Sequence, residues 1–216
     1  MPNSHDANFR IGTRAALSSA LHWVYDKAID GVPGLDSAGD LAASYRRQYA
    51  TDDEAIEALI RWQIAKASAA GFLTNLGGAV TLPVALPANV LSALYIQIRM
   101  VAAIAVLRGH DLKSDRVRTV VLACLCGTSL ADMIKEAGMG LGAGLAQQAV
   151  ASLSSEALKR IKHVAKVEAL RRAGGALNFS RQTPLLGGLV AGVLDGALTR
   201  SYAAAAKKLF APAVIA

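Results

Sequence analysis

Apolar residues recur at helical spacing along most of the chain, and no stretch shows the period of two expected of a strand. The first amphipathic stretch is Ala7 to Asp30, with Leu17, Leu21, Val24 and Ala28 on one side. Gly31-Val32-Pro33-Gly34 ends it. A shorter helix follows, capped by Asp36 or Ser37 and running to about Tyr49. Thr51-Asp52-Asp53-Glu54 reads as a capping box. The helix beyond it sets Ile56, Leu59, Ile60, Ile64 and Ala67 at core spacing.

An uncharged run of 32 residues then extends from Ala67 to Ile98. Gly71, Gly77, Gly78, Pro83 and Pro87 break it. A proline in a helix interior costs about 3 kcal/mol, so a turn or re-entrant bend is expected near Thr81–Pro87. From Ala88 the pattern is helical again through Arg99 to Leu107, with Gly109 as C-cap. At about 1.5 Å per residue the run would span a bilayer only if straight. The prolines make core or re-entrant contact the better expectation.

Asp111 or Ser114 starts the next helix, which ends near Gly127. Thr128 caps a short helix stopping at Gly138, and Gly138, Gly140, Gly142 and Gly144 form a joint. A long helix reaches Gly174-Gly175, and a polar loop from Asn178 to Pro184 leads to a last helix, Leu185 to about Phe210. Gly188, Gly192 and Gly196 stack on one face of it and allow another backbone to come close, in a membrane or in a tight core. Leu185-Leu186-Gly187-Gly188-Leu189-Val190 echoes Asn75-Leu76-Gly77-Gly78-Ala79-Val80. The expected fold is all-α: a single compact multi-helix domain around two Gly-rich apolar helical hairpin elements. Residues 1–50 read as an N-terminal helical extension and 51–216 as the main domain.

Composition adds a membrane question. Of 216 residues, 53% are hydrophobic and only 5% aromatic, so Ala, Leu, Val and Ile carry the apolar content. The mean hydropathy of +0.35 is high for a soluble protein and low for a polytopic membrane protein. Peripheral or conditional membrane contact fits between them. Cys124 and Cys126 would point about 200° apart on a helix, a geometry that does not suit a bond between them. One pair cannot supply a four-ligand zinc site, so both read as small buried hydrophobes of a reducing compartment. Met1-Pro2-Asn3-Ser4-His5-Asp6 lacks the basic-then-apolar order of a signal peptide, and Pro2 stands where myristoylation needs glycine.

Charge sharpens the question. Residues 1–152 hold 13 basic and 13 acidic side chains. Residues 153–216 hold ten basic ones against Glu156, Glu168 and Asp195, so the whole excess of +7 falls there. Lys159, Lys162, His163 and Lys166 make one helical stripe, opposite Leu158, Ile161, Ala165 and Ala169. Arg171 and Arg172 follow it. Anionic lipid head groups are the expected partner, at roughly 1 kcal/mol per basic residue near a membrane surface. The plainer alternative is a solvated helix face. Nucleic acid is not expected, because aromatics are missing near the stripe and no binding motif occurs.

Arg99 follows the uncharged run directly, and it shares a helical stripe with Asn89 and Ser92. Asp195 is the only acid between Glu168 and the C-terminus, with Thr199 one turn on. A lone buried charge is strongly unfavourable, so Arg99 and Asp195 are expected to pair. Asn89, Gln97, Arg99, Asp195 and Thr199 form the candidate polar cluster. It could fix helix register, bind a ligand, or let Arg99 snorkel to a surface. Gly-x-Ser-x-Gly, a phosphate-binding Gly-Lys-Thr loop and His-Glu-x-x-His are all absent. His5, His22, His110 and His163 are scattered. No catalytic residue, metal site or cofactor is expected.

Several ordered segments resemble the EcsC family, named for the protein encoded beside the Ecs ABC transporter genes of bacilli. They are Ala70-Gly71-Phe72 to Gly77-Gly78, Leu82-Pro83-Val84 to Pro87-Ala88-Asn89, and Tyr95-Ile96-Gln97-Ile98-Arg99-Met100. Ile104-Ala105, Gly109-His110-Asp111, Pro184 to Gly188, Asp195, Ala206-Lys207 and Phe210 continue the match, over roughly residues 52–212. The resemblance implies a helical bacterial intracellular protein of poorly defined activity, and it carries over no catalytic residue. The expectation is a non-enzymatic protein on the inner face of the cell membrane, bound to lipid through its Gly/Pro elements and basic C-terminal region. The alternatives are a pocket near Arg99 and Asp195 for a small or lipidic ligand, even a hydrolase, or an interaction module for a membrane transporter.

Overall fold

The computed structural model describes residues 21–68, 88–125 and 187–210, together with Ser19, Ser155, Glu156, Lys159 and His163. Over these residues the chain is all-α, and one isolated bridge, Val32 to Leu35, lies outside the helices.

Helix α1 (21–30) stops where the sequence places its stop. Gly31 takes φ +82°, a left-handed conformation open to glycine, and its N–H donates to the Lys27 carbonyl at 2.9 Å. A Cβ there would also lie 3.2 Å from the Ser37 nitrogen. Of the two expected caps for α2 (Ala38–Gln48), Ser37 is the one used: its hydroxyl accepts from the Asp40 N–H at 3.0 Å. Arg46 and Arg47 complement the other end of the dipole. In α3 (Asp52–Ser68) the Thr51 hydroxyl accepts from the Glu54 N–H, and the Glu54 carboxylate accepts from the Ala50 N–H, both at 3.2 Å. This is the reciprocal logic of the box, with the return bond one residue earlier.

Helix α4 (Ala88–Leu107) has the bounds the sequence predicts. Gly109, at φ +79°, closes it: the Gly109 and His110 N–H groups donate to the Val106 and Ala105 carbonyls, each at 2.9 Å. Ser114 is the cap residue of α5 (Asp115–Cys124), while Asp111 accepts from the Lys113 N–H in the turn before it. The helix is described as far as Cys124, with the Leu125 N–H bonded to the Leu122 carbonyl, and the expected end near Gly127 lies outside the described residues. Helix α6 spans Gly187–Leu209.

Polar contacts fix the relative directions. Arg99 donates to the Asp36 carbonyl and Arg46 to the Leu107 carbonyl, both at 3.0 Å, so α2 and α4 run parallel. The Arg108–Asp53 ion pair starts α3 beside the end of α4, and α3 packs against both α4 and α6. Lys207–Glu57 and the edge-on contact of His110 with Phe210, centroids 4.9 Å apart, set the end of α6 at the same level. Ile56, Leu59, Ile98, Met100, Ile104, Leu107 and Phe210 are fully buried between these helices. Each large apolar side chain so enclosed is worth about 1.5–3 kcal/mol. Val24, Tyr25, Ala28, Leu41 and Ala42 belong to the same cluster, so the core crosses position 50.

Several expectations fall elsewhere. The Asn75–Val80 element, the bend near Pro83, Cys126 and the glycine joint at 138–144 lie outside the described residues. Gly188 and Gly192 lie on α6, and Gly196 is buried there.

Candidate functional site

Arg99 is buried, as its place at the end of an uncharged run suggests: it is 2% exposed. Its Nη1 donates to the Asp36 carbonyl just ahead of α2. Its guanidinium lies 5.6 Å from the centre of the Tyr95 ring, one turn earlier on α4. Its Nε has no hydrogen-bond partner, and neither has the Tyr95 hydroxyl. Among the described residues no carboxylate forms an ion pair with Arg99. Asp195 lies on α6 with its side chain outside the described residues, so the expected pair is not among the contacts seen.

A guanidinium keeps its charge when buried, so the burden falls on its surroundings. Burial raises the pKa of Tyr95, and the nearby Arg99 charge opposes that rise. Tyr45, half-buried on α2, shows the same balance: burial raises its pKa, the Tyr49 phenol adds to the rise, and Arg99 opposes it. Both phenols therefore stay neutral donors at physiological pH.

Gln63 on α3 is fully buried, and neither amide atom has a partner. Counting equally along α3 and α4 from the Asp53–Arg108 pair brings Gln63 to the level of Ile98 and Arg99. A buried polar group left without a partner costs about 1–3 kcal/mol. The unmade bonds of Gln63, Tyr95 and Arg99 thus lie within about a turn of one another along the bundle, while that of Arg108 Nε lies at the far end of α4. Together the first three supply positive charge and donors suited to a carboxylate or phosphate oxygen.

The other expected site residues are placed unevenly. Gln97 and Thr199 are buried, and Thr199 has a polar or electrostatic partner. Asn89 lies in the first turn of α4, with its side chain outside the described residues. Lys159 and His163 are helical and exposed, as a surface stripe requires, while Lys162, Lys166, Arg171 and Arg172 lie outside the described residues. Cys124 is fully buried. His110 is buried against Phe210, and burial lowers its pKa, so it stays neutral and structural. Among the described residues no group of three His, Cys, Asp or Glu side chains is placed to hold a metal ion.

Gln63 and Tyr95 escaped the sequence reading. Gln63 lies four residues after Leu59 and three after Ile60, which sets it on the core face of α3. That spacing was the available signal. Compared with family models, with curated proteins and with solved structures, the chain matches none of them.

Proposed function

We propose that this chain is a non-enzymatic, EcsC-like protein of the bacterial cytoplasm that associates with anionic lipid on the inner face of the cell membrane. One observation carries the proposal. Residues 153–216 hold the entire charge excess, and Lys159 and His163 of that segment are exposed on helical turns, one turn apart. Lys162 and Lys166 complete the stripe at helical spacing. Three lysines at roughly 1 kcal/mol each make a weak, reversible contribution, to which Arg171 and Arg172 of the same segment add. Among the described residues no helix is long and apolar enough to cross a membrane, and surface contact requires none.

A second reading has its own observation. The partnerless atoms of Gln63, Tyr95 and Arg99 favour a bound oxyanion, free or at the head of a lipidic molecule. A membrane transporter as partner rests on the EcsC resemblance.

Vesicle flotation tests the leading proposal. The full chain is expected to float with vesicles containing phosphatidylglycerol at low salt, and to stay down with purely zwitterionic ones. Failure to float with the anionic vesicles would sink it. Flotation that resists high salt would point to apolar insertion instead of charge.

A further inference from the structure

Among the described residues two large hydrophobic side chains are exposed, Tyr49 at 37% and Trp62 at 54%. Both line one cleft of about 520 Å³, between the end of α2 and the second half of α3. Tyr45, Gln48, Ala58 and Arg61 complete its walls. The Tyr45 and Tyr49 rings lie 9° from parallel with centroids 6.1 Å apart, so the aromatic wall is ordered by stacking.

The charges around the cleft are one-sided. Arg46 holds Asp52 at 2.8 Å, Arg108 holds Asp53, and Lys207 holds Glu57. The Glu54 carboxylate accepts the Ala50 N–H at the start of α3. The acids of α3 are thus engaged. Arg61, exposed on the cleft, and Arg47, exposed in the last turn of α2, form no ion pair among the described residues.

Tryptophan and tyrosine have an apolar body and a polar tip, the combination that settles at the boundary between acyl chains and head groups. An arginine beside them can meet lipid phosphate while its stem stays in the apolar zone. We propose that the Tyr45–Tyr49–Trp62–Arg61 cleft is a seat for the head-group layer of an anionic phospholipid membrane. Arg61 takes the phosphate, and the rings of Tyr49 and Trp62 enter the layer beneath it. This inference rests on the lipid association proposed above, and it names a second contact on a separate part of the chain.

The two tryptophans make the site directly readable. In full-length chain carrying Trp23→Phe, Trp62 is the sole indole. Its emission should shift to the blue with vesicles of equal parts phosphatidylglycerol and phosphatidylcholine. Lipids brominated near the head group should quench it. Trp62→Ala should weaken vesicle affinity about ten-fold with no change in Tm, consistent with withdrawing one large apolar side chain from water. Arg61→Gln, at an exposed position, should weaken binding about five-fold on the anionic vesicles alone. Chain that floats while Trp62 emission stays unmoved and unquenched would overturn the cleft proposal and leave lipid association standing. A partner protein occupying the cleft would give that same result. Chain that does not float at all would overturn both.

Discussion

In the first half of α3, Ala55, Ile56, Leu59 and Ile60 are buried at helical spacing, and Asp53 and Glu57 on the outer side each meet a cation. In the second half, Trp62 is 54% exposed while its neighbour Gln63 is sealed in the core with both amide atoms unpartnered. One helix thus follows the rule of apolar-in, polar-out for two turns and then breaks it at two adjacent positions, while Arg61 stays exposed and Ile64 packs against the core. Local pattern and global fold agree where a segment only has to fold, and conflicts between them collect where a segment does something else. Of the two, Trp62 lines the aromatic cleft and Gln63 lies near the level of Arg99.

Substitutions in the two halves should therefore act on different observables. The largest effect belongs to the first half. Leu59→Ala should cost about 3 kcal/mol, by the cavity it leaves among fully buried neighbours, and lower Tm accordingly. Vesicle affinity of the folded fraction should not change. Next comes Trp62→Ala, expected to lose affinity and keep Tm. A fall of several degrees in its Tm would show that the exposed indole is part of the fold and would erase the contrast.

Gln63→Leu follows, with the opposite sign. It removes two unpartnered atoms at similar volume, so stability should rise by about 1 kcal/mol. For a chain of this length that is a Tm increase of about 2–4 °C. A lowered Tm would mean that the buried amide is well accommodated. Tyr95→Phe sharpens the same point, because it deletes one orphan hydroxyl and leaves the ring beneath the Arg99 guanidinium. It should leave Tm unchanged or slightly raised.

The smallest effect lies at the far end of α4. Burial lowers the folded pKa of His110, so the unfolded chain takes up its proton first as pH falls. The contribution of His110 is intact above the unfolded value near 6.5 and declines below it, as pH drops toward the folded value. Chemical denaturation at pH 7.5 and pH 5.5 should show this loss in the parent chain, and His110→Leu should reduce it.

Much of this fold is legible in the sequence. The start of α4 follows from Pro87, which cannot continue a helix, and its end from Gly109, whose left-handed φ a glycine adopts freely. The caps of α2 and α3 follow from Ser37 and from the Thr51/Glu54 pair. At the polar level, burial of Arg99 can be read from the uncharged residues before it. Its visible partner cannot, since the Asp36 carbonyl is backbone and every residue has one. The cleft was missed for another reason. Periodicity marks which residues face inward, and Tyr49 and Trp62 matter because they do not.

The most direct measurement is the partition of the full chain onto phosphatidylglycerol-containing vesicles, beside a variant carrying Lys159→Glu, Lys162→Glu and Lys166→Glu. Lipid association driven by the basic C-terminal segment requires that the parent chain bind at low salt, and that the variant lose most of that binding while keeping its Tm. Equal partition of the two proteins, or none by the parent chain, would contradict it.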